Sequence, residues 1–188
     1  MSERVQALRA EYWAQVKDID RNDLVFLDEM GVLLGLMRTH ARAVPGQRAY
    51  DCKPFYRGDK VNVVGAITVS KVLAVMTMDA AAFQVYVSKM LVPQLWQGAV
   101  VVMDNLRAHK VEAIAPLIEA AGARILYLSP YSLEFNPIEH WWSQLKAFLR
   151  QFSPTTSKRV DTLIATALDL IDPQHLRNWF AHCCYCPL

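Results

Sequence analysis

Two short runs, Leu24–Leu27 (LVFL) and Val100–Met103 (VVVM), are apolar at every position, and each stops at an aspartate. A strand with one wet face alternates apolar and polar residues, whereas an unbroken Val- and Leu-rich run suits a strand covered on both faces. A fold that accommodates two such strands needs helices above and below its sheet. The carboxylate that ends each run leaves that sheet with its side chain free to face a cleft.

The flanking segments supply the covering layers. Residues 3–19 are mostly good helix formers, with Val5, Leu8 and Tyr12 at helical spacing, and Asp20–Asp23 breaks the pattern. Leu24–Asp28 reads as a buried strand. Glu29-Met30-Gly31 supplies a short turn, which makes Val32–Met37 its expected hairpin partner. Lys60–Ser70 is rich in β-branched residues, and Val72–Met78 is its expected antiparallel neighbour. Asp79 suits an N-cap for a helix carrying Phe83, Val87, Met90 and Leu91 before Pro93. After the Val100–Met103 strand, residues 110–121 predict a helix closed by Gly122, and Arg124–Leu128 another buried strand. Ile138, Trp141, Trp142, Leu145, Phe148, Leu149 and Phe152 keep helical spacing, and Lys158–Ile171 and Pro173–His182 complete a helical end. Strands with hairpin signals followed by strand–helix–strand–helix predict an α/β fold, a mixed sheet flanked by helices.

The chain of 188 residues, 53% hydrophobic and 20% charged, is long enough for one domain with a substantial core and too short for two ordinary ones. We therefore expect residues 1–188 to form a single domain, with 1–23 as a helical lead-in. No basic-then-apolar leader opens the sequence and no apolar run approaches a membrane span of about 18–20 residues, so a cytoplasmic protein is expected. Three of the four cysteines crowd the end in HCCYC (182–186). That spacing is not a zinc knuckle, and reduced thiols are the expectation.

A net charge of +2 says little about partners, but its distribution says more. Arg38, Arg42, Arg48, Lys53, Arg57 and Lys60 fall within one stretch, interleaved with Tyr50, Phe55 and Tyr56 and opposed by only Asp51 and Asp59. Such a stretch can hold phosphates and stack on bases; a solvated loop accounts for it equally well.

Asp28, Asp104 and Glu139 are the candidate chemistry. Each has an ordinary explanation: Asp28 as a turn residue, Asp104-Asn105 as an Asx-type turn, and Glu139 as the third residue of a helix capped by Asn136 with Pro137 in its first turn. Together, two strand ends and a helix start are where ligands bind in α/β folds. Three carboxylates gathered there would repel one another unless divalent cations neutralised them. Hard oxygen ligands suit Mg²⁺ or Mn²⁺, and two such ions support in-line displacement at phosphorus.

The segments LVFLDEMG (24–31), VVVMDNLRAHK (100–110) and YLSPYSLEFNPIEHWWSQLK (127–146) resemble the catalytic core of DDE transposases of the mariner superfamily, most of all the bacterial insertion sequence 630 family. The thirty-four residues between Asp104 and Glu139 match the spacing typical of that family. The resemblance implies a ribonuclease-H-like fold in which Asp28, Asp104 and Glu139 hold two Mg²⁺ ions, with Mn²⁺ able to substitute. It implies DNA strand cleavage by water and joining of 3′-hydroxyl ends to a TA-containing target. The expected partners are therefore element ends and target DNA, and a second copy of the chain on DNA, in a bacterial cytoplasm and at its nucleoid.

Asn105, His109 and Asn136 match family positions and are expected to support the ligands or touch phosphates. Lys146 and Arg150 join Arg38, Arg42, Arg48, Lys53, Arg57 and Lys60 as candidate DNA contacts, while Trp141 and Trp142 are expected in the core. Leu133 and Glu134 stand where the family usually has Pro and Asp, and Cys184 where it commonly has Gly. About two dozen residues precede the first strand, too few for the helix-turn-helix modules of full-length relatives. Either the chain is a piece of a longer one, or a separate or frameshifted reading frame encodes the recognition part. The rival expectations are another ribonuclease-H-like nuclease, or a truncated remnant that binds DNA or a partner without turnover.

Overall fold

The computed structural model describes residues 3–50, 52, 59–78, 82–104 and 108–185, and only the backbone of 108–111. Five strands form one mixed sheet: β1 (Leu24–Leu33), β2 (Lys60–Ile67), β3 (Val72–Met78), β4 (Val100–Met103) and β5 (Arg124–Tyr127), in the order β3-β2-β1-β4-β5. The first three pair antiparallel, and β4 and β5 add to β1 in parallel. The expected α/β fold with a mixed sheet is what the chain adopts.

Alternation along the strands divides the core into two layers. Leu24, Phe26, Val100 and Val102 point to one face, beneath α1 (Glu3–Val16), α4 (Ile138–Phe152), α5 (Ser157–Asp169) and α6 (Pro173–His182). Val25, Leu27, Val101 and Met103 point to the other, beneath α2 (Phe83–Tyr86) and α3 (Ala108–Ala120). The two all-apolar runs are thus buried on both sides, as their composition requires.

Local expectations failed at three places. β1 does not turn at Glu29-Met30-Gly31. It runs on to Leu33, with Glu29 opposite Val64 and Gly31 opposite Asn62, so its antiparallel partner is β2 and not Val32–Met37. The connection 34–59 is closed at its base by Leu34 N–H donating to Asp59 O (2.9 Å). The helix after β3 keeps α-geometry for one turn, widens to a π turn over Val87–Leu91 and tightens to 3-10 at Val92–Gln94, where Pro93 denies it a donor. Asp79, its expected cap, lies outside the described residues. In α1, by contrast, the expected face packs: Tyr12 is buried, Val5 and Leu8 are half-buried, and Val16 continues the same spacing as a further buried residue. At α4, Pro137 occupies the cap and no side chain caps the helix, so the expected Asn136–Glu139 capping pair does not form.

Candidate active site

Parallel pairing places the two aspartates. Leu27 stands opposite Met103, so the next residues stand side by side: Asp28 in the middle of β1, which runs on past the strand end expected there, and Asp104 just beyond the C-terminal end of β4. Period-two alternation turns Asp28 toward the face that carries α4, whose first turn contains Glu139. The three carboxylates line one cleft of about 270 Å³, walled on its far side by the loop Leu128–Leu133 and floored by Asn136. A larger cavity of about 450 Å³ beside β3 has Lys71 as its one charged lining residue and otherwise mainly apolar walls, which offers little chemistry.

Asp28 is tightly held. Its Oδ1 accepts from Glu29 N–H (2.8 Å), and its Oδ2 accepts from Trp142 Nε1 (3.1 Å) and Asn136 Nδ2 (3.3 Å). Burial, followed by the Glu139 charge, pushes its pKa up to about 7. The Glu29 and Trp142 N–H groups oppose that rise, and Asp104 adds to it slightly. Asp104 is exposed and Glu139 half-buried. Among the described residues no Lys or Arg pairs with any of the three.

Trp142 can reach Asp28 because β2 has a glycine there. Gly65 stands opposite Asp28, and a Cβ at Gly65 would lie 2.6 Å from Trp142 Cη2 and 2.7 Å from Trp141 Cζ3. The two indoles, both buried as expected, stack on each other with centroids 4.5 Å apart. Sequence reasoning placed Trp142 in the core but missed its hydrogen bond, and it missed Gly65 altogether. A glycine inside a β-branched run was the available signal.

Asn136 is 2% exposed, its Nδ2 on Asp28 and its Oδ1 without a hydrogen-bond partner. An unpartnered buried amide oxygen on a residue that lines the same cleft as three carboxylates fits a site that takes a hydrated cation, whose waters donate. The disfavoured Asp28 charge and the all-oxygen donor set fit Mg²⁺ or Mn²⁺ as well. Among the described residues, no three His, Cys, Asp or Glu side chains already stand close enough together to grip an ion.

The remaining candidates lie elsewhere. Arg38, Arg42, Arg48 and Lys60 are exposed, and Lys146 and Arg150 are half-buried on α4. None of them lines the cleft. Arg38 Nη2 donates to Gln151 O (3.3 Å), at the opposite end of α4 from Glu139. Lys53, Arg57, Asn105 and the His109 side chain lie outside the described residues. Cys183 is buried and Cys184 exposed. No helix among the described residues is long and apolar enough to cross a membrane.

Residues 23–164 match the family described as DDE superfamily endonuclease, and the chain belongs to that family. No curated protein matches it. Among solved structures, the Mos1 mariner paired-end complex with Mn aligns at TM-score 0.73 and 16% identity, over 96% of this chain and 60% of that one. The Mos1 paired-end complex with the left transposon end aligns at 0.71 and 14%, over 96% and 59%. The catalytic domain of Mos1 mariner transposase aligns at 0.65 and 13%, over 96% and 89%. The ribonuclease-H-like fold is therefore shared with that catalytic domain, and the chain spans about three-fifths of the longer Mos1 chains.

Proposed function

We propose that this DDE superfamily endonuclease is the catalytic part of a transposase of the mariner and insertion sequence 630 type, cleaving DNA and transferring 3′-hydroxyl ends. The observation that carries the reading is the convergence of Asp28, Asp104 and Glu139, separated by 76 and 35 positions in sequence, on one cleft. The failed cap strengthens it, because Glu139 sits at the start of α4 without the helix-capping bond that would otherwise explain it.

In this reading the three carboxylates hold divalent cations, which would activate the attacking oxygen and stabilise the departing one. The chain's own residues do the positioning. Trp142, Asn136 and the Glu29 N–H fix Asp28 in one orientation, so little reorganisation is needed when phosphate arrives. The N-terminal end of α4 favours negative charge at Glu139. Asp104, exposed at the mouth, is the carboxylate nearest to bulk solvent and to an approaching duplex. DNA ends, a TA-containing target and a second copy of the chain are the proposed partners, with a separately encoded helix-turn-helix protein as the source of end recognition. A bacterial cytoplasm is the proposed setting.

The test is Mg²⁺- or Mn²⁺-dependent nicking of a duplex carrying the element's end, followed by joining of a pre-cut 3′-hydroxyl end to plasmid DNA. Asp104→Asn and Glu139→Gln should each lose at least about a hundredfold in rate with folding intact. Nicking that survives Glu139→Gln would remove that residue from the site. Nicking without joining would favour a simple nuclease.

A further inference from the structure

The loop that walls the cleft is braced from outside by α1, and we infer that Arg9 is a positioning residue for the acidic site. This rests on the cleft being catalytic. From α1, Arg9 pairs with Glu134, donates from Nη1 to Ser132 Oγ (3.2 Å) and to Tyr131 O (3.5 Å), and lies 4.3 Å from the Phe135 ring centroid. One guanidinium thus engages four residues of the five-residue stretch that ends immediately before Asn136. Its three polar contacts all come from Nη1, while the planar guanidinium lies over the Phe135 ring, a stacking contact that a lysine reproduces only poorly.

Neighbouring groups extend the brace. Trp13 meets Phe135 edge-on at 5.0 Å, and Tyr12 stacks on it at 5.9 Å. The Tyr185 hydroxyl donates to Phe135 O (2.6 Å) and contacts the Tyr12 hydroxyl at 2.6 Å. Arg9, Tyr12, Trp13 and Val16 are spaced for one face of α1, so the helix presents a stripe shaped to this loop. The loop needs the support. Tyr131 is held at φ 56°, in the left-handed region that a tyrosine rarely adopts. The clamp from α1 supplies that support from outside the loop. What it fixes is Asn136, whose amide touches Asp28, and behind it Glu139.

The Arg9–Glu134 pair is half-exposed, with side-chain exposures of 19% and 53%, so global stability gains little from it. The effect should therefore be local, and two measurements on the purified chain test it. The first is amide hydrogen exchange. Arg9→Ala should accelerate exchange across 131–136 about tenfold while β1 and β4 keep wild-type protection. The second is metal-dependent DNA cleavage. Arg9→Ala should lower kcat about tenfold, with KM for DNA changed less than about twofold. Arg9→Lys should recover part of the rate. Arg9→Glu should be worse than alanine, and adding Glu134→Arg should restore part of the loss.

Wild-type exchange at 131–136 in Arg9→Ala would overturn the brace. So would a fall in kcat that tracks a general loss of protection in β1 and β4, without recovery in the charge swap. A wild-type chain that fails to cleave DNA would sink the catalytic reading alone, because the exchange measurement decides the brace independently.

Discussion

The negative charge of Asp28 is disfavoured where it sits, and that makes the metal-free protein sensitive to pH. Burial and Glu139 raise its pKa to about 7 from a usual value near 4. The stability it contributes is fully present below the unfolded value and is lost as pH rises through about 7. Three units correspond to an upper limit of roughly 4 kcal/mol, or on the order of 10 °C in Tm for a chain of this size. In EDTA, Tm should fall between pH 5 and pH 8, and Asp28→Asn should remove most of that slope. An unchanged slope in the variant would place the dependence on another group. A second residue-scale prediction concerns Cys184, at φ 67° after α6. Tyr185 N–H bonds Phe180 O (2.9 Å) and Cys184 N–H bonds Ala181 O (3.0 Å), the paired bonds of a Schellman cap whose left-handed position favours glycine. Cysteine there is strained by about 1 kcal/mol. Cys184→Gly should raise Tm by up to about 3 °C in thermal melts, and a lower Tm would show that the thiol's own contacts outweigh the strain.

At the scale of elements, what was legible depended on how local the deciding contact is. The all-apolar runs before Asp28 and Asp104 and the Trp141/Trp142 stripe of α4 carry their burial in composition and period, and both were readable. The end of β1 was not. Gly31 suggests a turn, yet pairing with β2, whose first residue is 27 positions beyond Leu33, keeps the chain extended. Asn136 misled for the same reason: its residue type and place before Pro137 suit a cap, but its amide goes to Asp28, 108 positions away. Arg9 carried no signal, since its partners are more than 120 positions off. Gly65 shows how an element-level detail governs the site. Gly65→Ala would drive a methyl group into both indoles and should destabilise the fold by about 1–3 kcal/mol in urea unfolding. It should also displace Trp142 from Asp28, so cleavage should fall more than stability alone accounts for. Unaltered unfolding and unaltered cleavage would mean that the indoles shift aside without consequence.

Across the whole molecule, opposite charges sit at opposite ends of α4. The carboxylates surround its first turn, whereas Arg38 is tied to Gln151 near its last, about 18 Å away at 1.5 Å per residue. Arg42 and Arg48 follow in the same exposed segment. A duplex reacting at the cleft would meet these cations some five base pairs from the reacting phosphate, at about 3.4 Å per step. DNA approaching the acids is repelled until cations neutralise them, whereas its attraction to the arginines needs no metal. Binding and chemistry should therefore separate. Reversing charge at Arg38, Arg42 and Arg48 together should weaken DNA binding in EDTA as well as in Mg²⁺. It should also reduce the slope of log K against log salt by up to about 2.7, or about 0.9 for each phosphate that an arginine no longer neutralises. Glu139→Gln should leave that slope unchanged while abolishing cleavage. A triple reversal with the wild-type slope would make the segment a bystander and require DNA to be held from another face.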